Sequence, residues 1–141
     1  MRRILVVEDS GSTRAFVRAI LEDGSFAGAY GGIEVIEATC GFDAMRLLPR
    51  GRFDLIVTDL NMADINGLEL IHFIRKSEHY REVPLVIIST LTAKGDVDRG
   101  LAIGANAYVP KPFTPEALRE TCGKLLRAGT ATGTGPGTGS G

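Results

Sequence analysis

Three acids, a hydroxyl and an ammonium stand at the ends of apolar runs in this chain. Glu8 and Asp9 close "RRILVVED", Asp59 ends "FDLIVTD", Ser89, followed by Thr90, ends "VPLVIIS", and Lys111 ends "NAYVPK". Taken singly, each has an ordinary explanation, since an Asp after a strand is a common turn former and a lone Lys is usually solvated. Brought to one crevice they make a site. Three crowded carboxylates cost free energy unless a cation neutralises them or one takes up a proton. Oxygen donors without His or Cys select a hard cation, and Mg²⁺ fits because it binds few carboxylates and keeps several waters. Its remaining positions commonly go to phosphate oxygens. Lys111 and the Ser89 hydroxyl add donors for a phosphoryl group, and a carboxylate can accept one covalently. The implied chemistry is in-line phosphoryl transfer, governed by positioning and charge neutralisation.

The order of elements is what must position these groups. The runs 2–9, 33–38, 53–60, 83–90 and 106–111 read as strands, and the first, third and fourth are nearly unbroken Val/Ile/Leu. Such runs suit strands covered on both faces. Between them, helical periodicity marks 12–22 (Phe16, Val17, Ile20), 41–48, 67–77 (Leu68, Ile71, Ile74) and 95–103. A fifth helix opens at "TPEALRE", where Thr114 can cap, Pro115 suits the first helical position and Glu116 favours the positive end of the dipole. Five βα units in succession predict a parallel sheet with right-handed crossovers. In such a sheet ligands bind outside the carboxyl ends of the strands, where the five groups stand.

Composition narrows the function classes. A net charge of −1 over 141 residues gives no basic field for direct nucleic-acid binding. No apolar run approaches the roughly 18 residues of a membrane span, and no signal peptide precedes the first strand. Cys40 and Cys122 fit neither a metal spacing nor a disulfide framework, so a reducing, cytoplasmic setting is expected. Residues 129–141, "GTATGTGPGTGSG", carry no charge and no large apolar side chain, and are expected to form a disordered tail or linker after a domain spanning 1–128. The glycine-rich connection 22–34 is longer than usual and reads as a tolerated surface insertion, the alternative being a partner-specific contact through exposed Phe26 or Tyr30.

"ILVVEDS", "DLIVTDLNMADINGLEL", "PLVIIST" and "GANAYVPKPF" resemble the motifs of the response-regulator receiver domain, the aspartate-phosphorylated module of two-component signalling, and its chemotaxis (CheY-like) members in particular. The likeness runs from Arg2 to about Arg127, with 30 residues from Asp59 to Ser89 and 22 from Ser89 to Lys111. It implies a flavodoxin-like (βα)5 doubly wound sandwich with strand order 2-1-3-4-5. It implies that Asp59 is the phosphoacceptor, that Asp9 and Asp59 ligate Mg²⁺ (or Mn²⁺), that Glu8 acts through a metal-bound water, and that the Asn61 backbone carbonyl completes the protein ligands. Lys111 and Ser89 would bind phosphoryl oxygens, with Ser89 and Tyr108 switching together, and Lys111-Pro112 would be a cis peptide. The implied donor is the phosphohistidine of a sensor histidine kinase, chemotaxis-type or other. The implied output is a protein target on the face of the fourth helix, fifth strand and fifth helix. The module is then no ordinary enzyme, but catalyses its own phosphorylation and slow dephosphorylation.

Four residues depart from the pattern. Ala63 replaces the usual proline, Ser89 the commoner threonine, and Thr90 a smaller residue, which is expected to narrow the approach to Asp59. Leu91 is apolar where attacking water arrives, and is expected to slow hydrolysis. Three readings compete. A flavodoxin-like electron carrier would use "SGST" (10–13) as a flavin mononucleotide phosphate loop, but Glu8 and Asp9 adjoin that loop. A dehalogenase-type phosphohydrolase needs a second acid where Asn61 stands. A receiver fold serving only as an unphosphorylated interaction module is the third.

Overall fold

The computed structural model describes residues 1–62, 64–90 and 94–134, with side chains through Ala128. Ala63 and Leu91 therefore lie outside the described residues. Among these, five strands form one parallel sheet in the order β2-β1-β3-β4-β5: β1 (Arg2–Val7), β2 (Ile33–Ala38), β3 (Leu55–Asp59), β4 (Leu85–Thr90) and β5 (Ala107–Lys111). The main helices are α1 (Gly11–Glu22), α2 (Gly41–Leu47), α3 (Gly67–Lys76), α4 (Lys94–Ile103) and α5 (Pro115–Thr134). Helix α5 thus carries the backbone six residues into the segment expected as a tail.

The strands alternate their side chains between two cores, as the period of two requires. Leu5, Val7, Ile56, Leu85 and Ile87 pack beneath α2, α3 and α4 with Ala44, Leu70, Ile71, Ile74 and Val97. Ile4, Val6, Leu55, Val57, Val86 and Ile88 pack on the other face with Val17, Ile20 and Leu21 of α1 and Leu118, Cys122 and Leu126 of α5. Both faces being covered explains why these strands read as continuous apolar runs. Phe16 departs from the expected apolar face of α1: it is exposed and stacks on Phe113, 5.7 Å between ring centres.

Local chemistry starts the helices where the site needs them. Ser10 caps α1 by accepting from the Thr13 N–H at 3.3 Å, and Thr114 caps α5 by accepting from Ala117 at 3.1 Å. Asn66 and Glu69 form a capping box at α3. Gly67 follows, and a Cβ there would lie 2.6 Å from the Leu60 Cα and 2.7 Å from the Asp59 carbonyl oxygen. Only glycine lets α3 begin this close to the end of β3.

The 22–34 connection is structured rather than a free loop. It forms a helical turn (Gly24–Ala27) and a 3₁₀ turn (Gly28–Tyr30), leaving through Gly31 and Gly32 at φ 76° and 96°. Phe26 and Tyr30 are half-buried against the α1/α5 core, which corrects their expected exposure. Their rings tilt together at 5.3 Å, and the Arg127 guanidinium donates to the Tyr30 hydroxyl at 3.1 Å.

Candidate functional site

Parallel register places the reactive groups. Val7 pairs with Ala38 on one side and with Thr58 on the other, so Glu8 and Asp9 emerge beside Asp59, the last residue of β3. Asp59 pairs with Ile88, which sets Ser89 one step beyond, and Thr90 pairs with Lys111 at the end of β5. Glu8, Asp9 and Asp59 each offer an oxygen within 4.8 Å of the others'. Glu8 and Asp59 are buried, whereas Asp9 is exposed at the mouth.

Lys111 Nζ donates to Glu8 Oε1 at 2.8 Å and to Asp59 Oδ2 at 3.3 Å. The Ser10 N–H donates to Glu8 Oε2 at 2.9 Å, and the Asn61 N–H donates to Asp59 Oδ1 at 3.3 Å. The contact of Asn61 with the site therefore runs through its amide N–H. Burial pushes the Glu8 carboxyl above its usual range, and the Asp59 charge adds to this, against the opposing hydrogen bonds from Lys111 and Ser10. Burial also works against the Lys111 charge. Its hydrogen bond to Glu8 and the two carboxylate charges outweigh that cost, and its pKa rises. One ammonium facing three acids leaves the cluster short of positive charge, and all its donors are oxygens. A hard divalent cation fits both facts.

The Ser89 hydroxyl is fully buried and has no hydrogen-bond partner among the described residues. A buried orphan hydroxyl is costly unless some state of the molecule uses it. Half-buried Tyr108 places its own hydroxyl 3.3 Å from the carbonyl oxygens of both Ser89 and Thr90, tying β5 to the exit of β4. The Lys111-Pro112 peptide is cis, as expected. Thr90, Lys111, Pro112, Phe113, Thr13 and Phe16 line an open, mainly apolar cavity of about 380 Å³ at the same edge.

In "SGST" the Ser10 hydroxyl is occupied in starting α1: it caps the helix and lies 3.2 Å from Ser12 Oγ. Two further residues support the site and were not singled out from the sequence. Arg14 donates to the Glu8 carbonyl oxygen at 2.7 Å and pairs with Glu37 at 2.9 Å. Asp64 accepts from the Gly41 and Phe42 N–H groups at 3.1 and 2.8 Å, joining the loop after β3 to the start of α2. The Phe42 N–H foremost holds its carboxyl well below the ordinary range. Each of these contacts joins residues more than 20 positions apart or turns on a backbone carbonyl, so side-chain type and local spacing carry no sign of it. Cys40 and Cys122 are free, and burial pushes the Cys122 thiol up to about 12, which leaves it inert.

Comparison with known proteins agrees with this geometry. The chain is 34% identical over 132 residues to a chemotaxis protein CheY homolog of Campylobacter jejuni, covering 93% of this chain and 97% of that one. Its fold matches the chemotaxis response regulator CheY4 of Vibrio cholerae with a TM-score of 0.78 at 33% identity, over 89% and 98% of the two chains. It also matches the receiver domain of sensor histidine kinase PA1611 from Pseudomonas aeruginosa, whose structure has a magnesium ion coordinated in the active-site cleft (TM-score 0.77, 27% identity, 89% and 98% coverage). Residues 4–122 match the response regulator receiver domain family. The chain belongs to that family, as a CheY-like receiver domain with a phosphoacceptor response-regulator role.

Proposed function

We propose that Asp59 accepts a phosphoryl group from a phosphohistidine of a sensor kinase and that the acyl phosphate switches the face formed by α4, β5 and α5. The observation that carries this reading is the convergence of Glu8, Asp9 and Asp59 oxygens within 4.8 Å beneath a Lys111 ammonium that already touches two of them. In the transfer an Asp59 carboxylate oxygen forms the new P–O bond, the P–N bond to the imidazole breaks with its electron pair going to the ring nitrogen, and the histidine, protonated on its other nitrogen, leaves as the neutral ring. Asp9 and Asp59 would hold Mg²⁺ directly, Glu8 would act through its water, and the Asn61 carbonyl would complete the protein ligands. Bound there, Mg²⁺ supplies charge neutralisation and orientation of phosphoryl oxygens. The magnesium-bearing cleft of the PA1611 receiver supports the same assignment here.

Lys111 is the cation that binds a phosphoryl oxygen once it leaves Glu8. Ser89 gives its unpartnered hydroxyl to another, drawing the end of β4 inward. Tyr108, bonded to the carbonyls of Ser89 and Thr90, follows that movement. The α4 face has exposed Leu101 and Ile103, which suits an apolar contact with a downstream protein. Among the described residues no helix is long and apolar enough to cross a membrane, and the reading is of a cytoplasmic signalling module on residues 1–128. Hydrolysis of the acyl phosphate returns the switch slowly.

Beryllofluoride with Mg²⁺ tests this against a purely structural interaction module. Amide and Tyr108 signals over residues 85–111 should shift in the native chain and stay fixed in Asp59→Asn. A native chain that gives no response would favour the interaction module.

A further inference from the structure

We infer that Arg14 is a positioning residue for the cation site, gripping the peptide between the two acids. The inference rests on the cation reading above and adds to it a residue that touches neither metal nor phosphate.

The argument starts from Asp9. Its carboxylate is the exposed member of the cluster, so its place depends on the backbone that carries it. That backbone is held at three points. The Glu8 N–H continues the β1–β2 pairing into the Ala38 carbonyl at 3.1 Å, and the Ser10 N–H bonds the Glu8 carboxylate at 2.9 Å. The third is the Glu8 carbonyl, part of the very peptide that joins the two acids, which accepts from Arg14 Nη1 at 2.7 Å.

Arg14 does this from a fixed stance. Its side chain is 17% exposed, and its Nε donates to Glu37 Oε1 at 2.9 Å, while Arg18 takes the other Glu37 oxygen at 2.9 Å. The planar fork serves two acceptors at once, one on β2 and one in the loop, which a lysine's single point of charge does not reproduce. Partners that orient a ligand typically change metal affinity by about 10–100-fold when removed.

Charge and position make opposite predictions for Arg14→Met. Removing a cation near three carboxylates raises the negative potential and, by Coulomb's law alone, tightens a divalent cation. Losing the grip on the Glu8 carbonyl frees Asp9 and weakens it. The test is a Mg²⁺ titration of the full chain followed by backbone amide shifts, with thermal stability measured alongside. The expected result is a dissociation constant about tenfold higher in Arg14→Met, an intermediate value in Arg14→Lys, and no change in Glu22→Gln. Glu22 pairs with Arg18 on the same helix, so its variant loosens the clasp without touching Arg14. Equal or tighter Mg²⁺ binding in Arg14→Met overturns the inference. If that variant fails to fold, unchanged affinity in Arg14→Lys overturns it instead. A native chain with no saturable Mg²⁺ response overturns the cation reading itself, and this inference with it.

Discussion

The Lys111 ammonium stands closer to Glu8, at 2.8 Å, than to the expected phosphoacceptor Asp59, at 3.3 Å. In this state the lysine is bonded first to Glu8 and more loosely to Asp59. In the proposed function a divalent cation would relieve Glu8 of its need for Lys111, and an incoming phosphoryl oxygen would give the ammonium a new partner. The lysine would then exchange one anion for another, so that a half-buried charge would not incur its desolvation cost.

Lys111→Ala leaves two buried carboxylates without their cation. We expect the unphosphorylated protein to lose about 1–3 kcal/mol of stability, less than a fully buried pair would, because Lys111 reaches solvent. Mg²⁺ should bind more tightly to the more negative cluster, while the phosphorylation rate falls at least about tenfold. Denaturant unfolding with and without Mg²⁺, beside a phosphorylation time course, checks all three.

Ser89→Ala should separate stability from switching. Among the described residues the hydroxyl has no hydrogen bond to lose, so unfolding free energy should change by no more than about 0.5 kcal/mol in either direction. The shift of the Tyr108 signals on adding beryllofluoride and Mg²⁺ should shrink markedly. A large loss of stability would mean the hydroxyl already has a partner in solution.

Glu37 gives a pH-dependent prediction. Its hydrogen bond from Arg18 first, and that from Arg14 next, hold its carboxyl below the ordinary value of 4.5. A depressed carboxyl stabilises the fold above its unfolded pKa and loses that contribution as pH falls through the folded one. Glu37→Gln should therefore be about 1 kcal/mol less stable than the native chain at pH 7. The gap between the two proteins should begin to narrow near pH 4.5 and close as pH falls through the lowered folded pKa, where the native acid also becomes neutral. Unfolding curves between pH 7 and pH 3 read this directly.

Gly67→Ala should cost about 2 kcal/mol, because the added methyl meets the backbone of Leu60 and Asp59, which cannot rotate aside. Phosphorylation should slow as well, since the displaced segment carries Asn61 and Asp59. Gly24→Ala is the comparison, as a Cβ there meets nothing within 4 Å.

The architecture was legible because the strands' two-sided burial is written as unbroken apolar runs, and the start of the last helix as Thr114-Pro115. The convergence of Glu8, Asp9 and Asp59, with Lys111 bonded to Glu8 and Asp59, was legible for a related reason. Parallel register converts position at a strand's end into position in space. Three things were not legible. The fold of 22–34 depends on Tyr30 finding Arg127 and the α5 backbone, a contact far removed in sequence. Phe16 satisfies helical periodicity yet lies outside the core, because Phe113 gives it a stacking partner at the surface. Arg14 was not singled out because its role depends on a carbonyl, which no residue type announces.

The central claim is that Asp59 takes the phosphoryl group. Intact-mass measurement after incubation with acetyl phosphate tests it, using the native chain with Mg²⁺, the native chain with a chelator, and Asp59→Asn with Mg²⁺. The account predicts a gain of one phosphoryl group in the first sample alone, labile as an acyl phosphate is. Undiminished incorporation into Asp59→Asn, or incorporation indifferent to the chelator, would contradict it.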